Sequence, residues 1–216
     1  MVIAIDLDGT LLDVKHKYHA VYSCIVKEHG AVPLDLDVFW GMKRNGVPNK
    51  KMLSESRCSL DWNIYRERFA ERIEAPVYLN LDRLMTGTDE FLEWIAHPAE
   101  PVLVTLRKNA KTLSEQLERL RINRYFKKII CDTTEGIEPA WRKKEYLFKT
   151  NLEGQNGIVI GDSEADIKAG RSVGFETMAL SSGIRAEEML APYHPDHLFP
   201  DIRSLLSHFM NKGVMK

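Results

Sequence analysis

The sequence predicts an α/β protein: a doubly wound parallel sheet, interrupted after its first strand by an inserted helical cap domain. Three observations lead there. The chain opens on Val2-Ile3-Ala4-Ile5, a short apolar run followed at once by a turn signal, which reads as a strand buried on both faces. From residue 101 onward similar runs recur, separated by amphipathic segments, and strands joined by single helices imply right-handed crossovers and a parallel sheet. Between the two lie residues 13–85, whose pattern is helical and yields no convincing strand.

The elements follow in order. Tyr18, Val21, Ile25 and Val26 stand near helical spacing before Gly30, and Tyr65, Phe69 and Ile73 form a stripe in a charged segment. Two shorter helices are expected over 36–43 and 50–55, split by Asn45-Gly46-Val47-Pro48-Asn49. Residues 13–85 therefore read as the cap, with 1–12 and 86–216 as the core. Thr88 is expected to cap a helix carrying Asp89 and Glu90 in its first turn and Phe91, Leu92 and Ile95 on its apolar face. Strands are expected over 101–105, 128–131, 157–160 and 176–180, with a short edge strand over 196–199. Asn109 is the expected cap of a helix burying Leu113, Leu117 and Leu120.

Composition narrows the function. Lys and Arg total 30 against 31 Asp and Glu, so no net field recruits nucleic acid or an anionic membrane, and the expected partner is a small molecule. Cys24, Cys58 and Cys131 lie far apart, outside any CxxC or Cys/His metal pattern, and read as reduced thiols. The N-terminal apolar run is broken at Asp6, which argues against a signal peptide or a membrane span and for a cytoplasmic protein. Gly41 to Gly46 has P-loop glycine spacing, but Val47-Pro48 follows where Lys-Ser/Thr is required. Arg66, Arg68 and Arg72 alternate with Glu67, Glu71 and Glu74 and are expected to pair among themselves on a solvated face. Oligomeric state has no signature in the chain.

The chemistry lies at the strand ends. Asp6 and Asp8 follow the first strand two residues apart, so alternation aims both carboxylates at one volume beyond the sheet edge. Their repulsion is relieved by a divalent cation with oxygen ligands, or by a proton on one of them. A bare turn with capping aspartates is the other reading of Asp-x-Asp-Gly. Gly161-Asp162-Ser163-Glu164-Ala165-Asp166 closes the fourth strand with more carboxylates; Asp162 or Ser163 serving only as a helix cap is the other reading, weakened because so many acidic strand ends in one sheet call for a cation.

The string Asp6-Leu7-Asp8-Gly9-Thr10 after an N-terminal strand resembles the first motif of the haloacid dehalogenase superfamily of aspartate-nucleophile phosphatases. Thr105 resembles the phosphate-binding Ser/Thr of its second strand, and Gly161-Asp162-Ser163-x-x-Asp166 its acidic fourth motif. Arg142-Lys143-Lys144-Glu145-Tyr146-Leu147 offers the lysine that opens the helix between the third and fourth strands; the Lys-x-x-x-Leu spacing favours Lys143, with Lys144 as runner-up. The similarity covers the core, and the insertion point resembles the helical-cap subclass of the phosphoglycolate phosphatases and β-phosphoglucomutases.

This resemblance implies a Mg²⁺-dependent phosphatase acting on a small organic phosphate through a phosphoaspartyl intermediate. It implies Asp6 as nucleophile and Asp8 as general acid and base. Gly9, Thr105, Lys143 and the backbone amide of Leu106 would bind phosphate; Leu106 stands where many members carry Asn, so only its amide can serve. The metal would be held by Asp6, the carbonyl of Asp8 and Asp162, with Asp166 behind them or acting through water. A phosphomutase of the β-phosphoglucomutase type shares this core and is the enzymatic alternative, and a phosphate-binding regulatory module is the non-enzymatic one.

Overall fold

Six parallel strands form the central sheet: β1 Val2–Ile5, β2 Glu100–Val104, β3 Lys128–Ile130, β4 Gly157–Gly161, β5 Glu176–Leu180 and β6 His197–Phe199. Their spatial order is β3-β2-β1-β4-β5-β6. The computed structural model describes residues 1–96 and 99–212. After β1 the chain builds outward on one side through β2 and β3, then returns to the other side of β1 with β4. This reversal between β1 and β4 is a topological switch point, where open α/β sheets leave a crevice at the carboxyl ends of their strands. The expected second strand ends one residue early, at Val104, although Thr105 N–H still donates to the Ile130 carbonyl at 3.0 Å.

The chain divides into two compact units, Met1–Leu12 with Leu84–Lys216, and Asp13–Arg83. The inserted unit carries five helices: α1 Lys15–Glu28, α2 Leu36–Arg44, α3 Asn49–Glu55, α4 Trp62–Ile73 and α5 Pro76–Leu79. Val21, Tyr22, Ile25 and Val26 of α1 form its core with Phe39, Met52, Leu53 and Tyr65, and the Tyr22 and Phe39 rings stack with centroids 4.6 Å apart. Lys17 and Asp82, both fully buried, form an ion pair at 2.8 Å that joins the first turn of α1 to the end of the unit. The arginine stripe of α4 behaves differently from the expectation of internal pairing. Arg72 forks onto Glu28 of α1 at 2.8 and 2.9 Å, and Arg68 approaches the same carboxylate at 3.5 Å, across the α1–α4 packing. Lys43 rests over the face of Tyr18 at 4.5 Å.

In the sheet unit the helices are α6 Thr88–Ile95, α7 Ala110–Arg119, α8 Ala140–Asn151, α9 Glu164–Ser172, α10 Glu187–Leu190 and α11 Ile202–Lys212. On one sheet face Val2, Ala4, Val102, Val104 and Val159 pack with Leu147 and Phe148 of α8, Leu152 just after it, and Ala169 of α9. Ile3, Ile5 and Leu103, which alternate with them, are fully buried as well, and Phe91 of α6 stacks on Phe209 of α11 at 6.1 Å. Each such side chain contributes about 1.5–3 kcal/mol of burial, enough to hold the strand ends in register. Thr88 is not the cap of α6. Gly87 occupies that position at φ +90°, and the Thr88 hydroxyl donates instead to the Leu11 carbonyl at 3.2 Å. Asn109 does cap α7, accepting from Thr112 N–H at 3.1 Å. Among the described residues no helix is long and apolar enough to cross a membrane.

Candidate active site

Parallel register assembles the site. Ile5 pairs with Ile160 on one side and Leu103 on the other, so Asp6, Asp162 and Thr105 leave neighbouring strands within about a residue of the same edge. Asp6 N–H donates to the Ile160 carbonyl at 2.9 Å, extending the ladder one step beyond β1. Asp166 arrives from the first turn of α9, where it accepts from the N–H and hydroxyl of Ser163 at 3.2 and 2.6 Å in a capping box. Asp6, Asp162 and Asp166 are all buried, and one carboxylate oxygen from each lies within 4.8 Å of the others.

The loop after β1 is shaped around Asp162. Leu11 and Leu12 N–H both donate to the Leu7 carbonyl, and Gly9 N–H to that of Leu12, which folds the chain back beside the strand end. Gly9 sits at φ +89°, and a Cβ there would collide with the Asp162 carboxylate, so both conformation and space require glycine. Thr10 Oγ1 donates to Asp162 Oδ1 at 3.2 Å, and Ile184 N–H donates to Oδ2 at 2.5 Å from the loop after β5. Neither Thr10 nor Ile184 was singled out in the sequence. The only signal for the second was Ser181-Ser182-Gly183, a small-residue run at a strand end, with Gly183 packed too closely on Asp162 to accept a side chain.

The lysine of the site is Lys144, which corrects the preference for Lys143. Lys144 Nζ donates to Asp6 Oδ1 at 2.7 Å and to Asp166 Oδ1, and the residue is only 3% exposed. Lys143 turns about 100° around the helix and meets Asp132 at 3.3 Å, closing the turn after β3, with Glu138 at 3.9 Å. The physical reason is the buried stripe of α8. Lys144, Leu147 and Phe148 share it at i, i+3 and i+4, whereas the Lys-x-x-x-Leu spacing to Leu147, which favoured Lys143, takes no account of Phe148.

Burial raises the Asp6 carboxyl to about 7, opposed by Lys144 and reinforced by the Asp166 and Asp8 charges. Asp162 is raised well above the ordinary carboxylate range, first by burial and then by Asp6 and Asp166. Burial would lower the Lys144 ammonium, but the Asp166 and Asp6 charges outweigh it and hold it above the usual lysine value. One ammonium thus faces three buried carboxylates. The donors are all hard oxygens on three rigid supports, a set that fits a divalent cation such as Mg²⁺ and would relieve the residual repulsion.

Asp8 lies outside that carboxylate cluster. Its oxygens are held by the Arg107 guanidinium, Nε at 2.5 Å and Nη2 at 2.6 Å. Arg107 was not anticipated; its position two residues beyond Thr105, on the same alternation, was the available clue. Thr105 is buried, and its Oγ1 accepts from Arg107 N–H at 3.3 Å. Leu106 packs its side chain against the apolar cluster under the sheet, leaving only its backbone for the site.

Residues 3–180 match the haloacid dehalogenase-like hydrolase family. The chain belongs to this family. Its relatives include a phosphoglycolate phosphatase from Pseudomonas syringae, 22% identical over 95% of this chain and 78% of that protein. A pyrophosphatase, PpaX, from Oceanobacillus iheyensis is 22% identical over 95% and 94% of the two chains. Among solved structures, a haloacid dehalogenase-like hydrolase from Streptococcus pneumoniae superposes with a TM-score of 0.78 at 22% identity, covering 96% of this chain and 97% of the other. As a haloacid dehalogenase-like hydrolase the chain is an enzyme, and its sheet has the family's α/β core.

Proposed function

We propose that this hydrolase is a Mg²⁺-dependent phosphatase that cleaves a small phosphate ester through a phosphoaspartyl intermediate on Asp6. The observation that carries the reading is Asp6 itself, buried at a strand end, hydrogen-bonded to Lys144 and gathered with Asp162 and Asp166. The likeness to phosphatases and to a pyrophosphatase supports phosphate as the group transferred. Cys24, Cys58 and Cys131 form no disulfide among the described residues, which accords with the reducing setting of the cytoplasm.

Asp6 presents one oxygen to Lys144 and uses a carboxylate oxygen to attack phosphorus in line with the departing oxygen. Lys144, the Thr105 hydroxyl and the amides of Leu7, Asp8 and Leu106 bind the equatorial oxygens as charge spreads over them, whereas the Gly9 N–H is engaged by the Leu12 carbonyl and Gly9 serves by its small size. Asp8 gives a proton to the leaving oxygen, then takes one from the water that attacks the phosphoaspartyl phosphorus, releasing inorganic phosphate and restoring Asp6. Asp6, Asp162 and the Asp8 carbonyl would hold Mg²⁺, which would supply the positive charge that lets an anionic nucleophile meet an anionic phosphate. Asp166 holds Lys144 and caps α9 at once, so its first task is orientation. We assign substrate selection to the inserted helical unit, on its insertion between Leu12 and Leu84.

Hydrolysis of an aryl phosphate with and without Mg²⁺, by the natural protein and by Asp6→Asn, tests this. Turnover that requires Mg²⁺ and vanishes in Asp6→Asn is expected; full activity in EDTA, or in the variant, would refute it.

A further inference from the structure

Arg107 is 5% exposed, and every arm of its guanidinium that the geometry reveals is engaged. Two arms fork onto Asp8, and Nη1 reaches Gln116 Oε1 at 3.3 Å. Gln116 is itself buried, on α7 beside Leu113 and Leu117, so the support comes from a helix anchored in the core. The backbone is tied down as well: Arg107 N–H meets Thr105 Oγ1, and its carbonyl accepts from Asp132 N–H at 2.9 Å. Asp8 lies on the turn after β1 with its side chain 17% exposed, and unsupported it could take several rotamers. A planar fork fixes both oxygens of a carboxylate in one plane, which a single ammonium cannot do. Proton transfer to a leaving oxygen depends on such placement, since displacement by about 1 Å costs on the order of 10²-fold.

We propose that Arg107, braced by Gln116, is a positioning residue that aims the Asp8 carboxyl at the leaving oxygen and so sets how far the enzyme turns over esters with poor leaving groups. The inference rests on the phosphatase reading. It predicts a leaving-group signature, because an alkoxide needs the proton and an activated phenoxide does not.

The test compares kcat and KM on an alkyl phosphate and on 4-nitrophenyl phosphate, with Mg²⁺ present, for the natural protein and for Arg107→Met, Arg107→Lys, Gln116→Leu, Asp8→Asn and the Asp8→Asn/Arg107→Met pair. Arg107→Met should lower kcat on the alkyl ester about 10²-fold with little change in KM, and lose far less on the aryl ester. Arg107→Lys should recover only part of the loss, Gln116→Leu should show a smaller loss with the same pattern, and the pair should be no worse than Asp8→Asn alone. Equal losses on both esters, a rise in KM with kcat unchanged, full activity in Arg107→Lys, or additive losses in the pair would each overturn the proposal. Thermal melts identify a variant that fails to fold; if Arg107→Met does, Arg107→Lys and Gln116→Leu carry the same comparison. Absence of Mg²⁺-dependent turnover in the natural protein refutes the phosphatase reading, and Arg107's role with it, before any variant is needed.

Discussion

Without metal, the stability of the protein should fall as pH rises through the range where the buried Asp6 carboxyl titrates. In the unfolded chain this carboxyl releases its proton near 3.8, as an ordinary aspartate does, whereas the folded protein retains it to about 7. Between those limits the folded state binds the extra proton, so its advantage is fully present below about pH 4, shrinks as pH rises and levels off above about 7. At about 1.4 kcal/mol per unit, the roughly three-unit gap amounts to about 4 kcal/mol. For a chain of this size that is on the order of 10 °C in melting temperature. Asp162, raised in the same direction and partly by the Asp6 charge, adds to the slope. The assay is thermal unfolding followed by circular dichroism in EDTA at intervals from pH 4.5 to 8, for the natural protein and Asp6→Asn, repeated in saturating Mg²⁺. The natural protein should lose ground against Asp6→Asn as pH rises to about 7, and Mg²⁺ should remove most of the loss by binding the ionised cluster. Curves that run parallel within about 2 °C across the range, less than the shift expected from about 1 kcal/mol, would refute the burial argument.

Other outcomes follow from the same geometry. Lys144→Ala should reduce aryl phosphate turnover by about 10² or more, as loss of a buried charge donor does, while Lys143→Ala should leave it near normal; reversed sensitivities in steady-state kinetics would restore Lys143. Asp8→Asn should cost about 10²–10⁴ in turnover of an alkyl phosphate, measured against a smaller loss on 4-nitrophenyl phosphate. Gly9→Ala forces a Cβ into the Asp162 carboxylate at positive φ, so the variant should melt lower by more than about 1 kcal/mol and need more Mg²⁺ for half-maximal rate. In the inserted unit, Asp82→Ala leaves Lys17 buried without its carboxylate and should cost about 3–5 kcal/mol in urea titration, whereas replacing both by apolar residues should cost much less.

The strands and most helices were legible because their signals are local. A run such as Val2–Ile5, fully buried between two neighbours, has few ways to be anything but a strand, and Asn109 caps α7 using an amide three residues away. Even the edge strand β6 was marked by His197-Leu198-Phe199 after a turn. Where the reading missed, a distant partner outcompeted a local one. Thr88 lies inside α6, with Gly87 in the cap position, and its hydroxyl reaches the Leu11 carbonyl, 77 residues earlier. Arg72, expected to pair within α4, meets Glu28 across the helix interface.

For the site the division is similar. Sequence alone determined that Asp6, Thr105 and Asp162 come to one edge, because each follows a strand, and parallel strands deliver their carboxyl ends together. It determined the acidic excess there and hence the expectation of a cation. Only the tertiary structure decided which lysine enters, because Lys143 and Lys144 are chemically identical and differ only by about 100° of helix rotation against the Leu147 and Phe148 stripe. Only it decided that Asp8 faces Arg107 rather than the carboxylate cluster, since that contact spans 99 residues and Gln116, from α7, meets the same guanidinium. Residue type and strand position travel with the chain, but the direction of a side chain at a crowded edge is set by which partner, from another element, arrives within hydrogen-bonding distance.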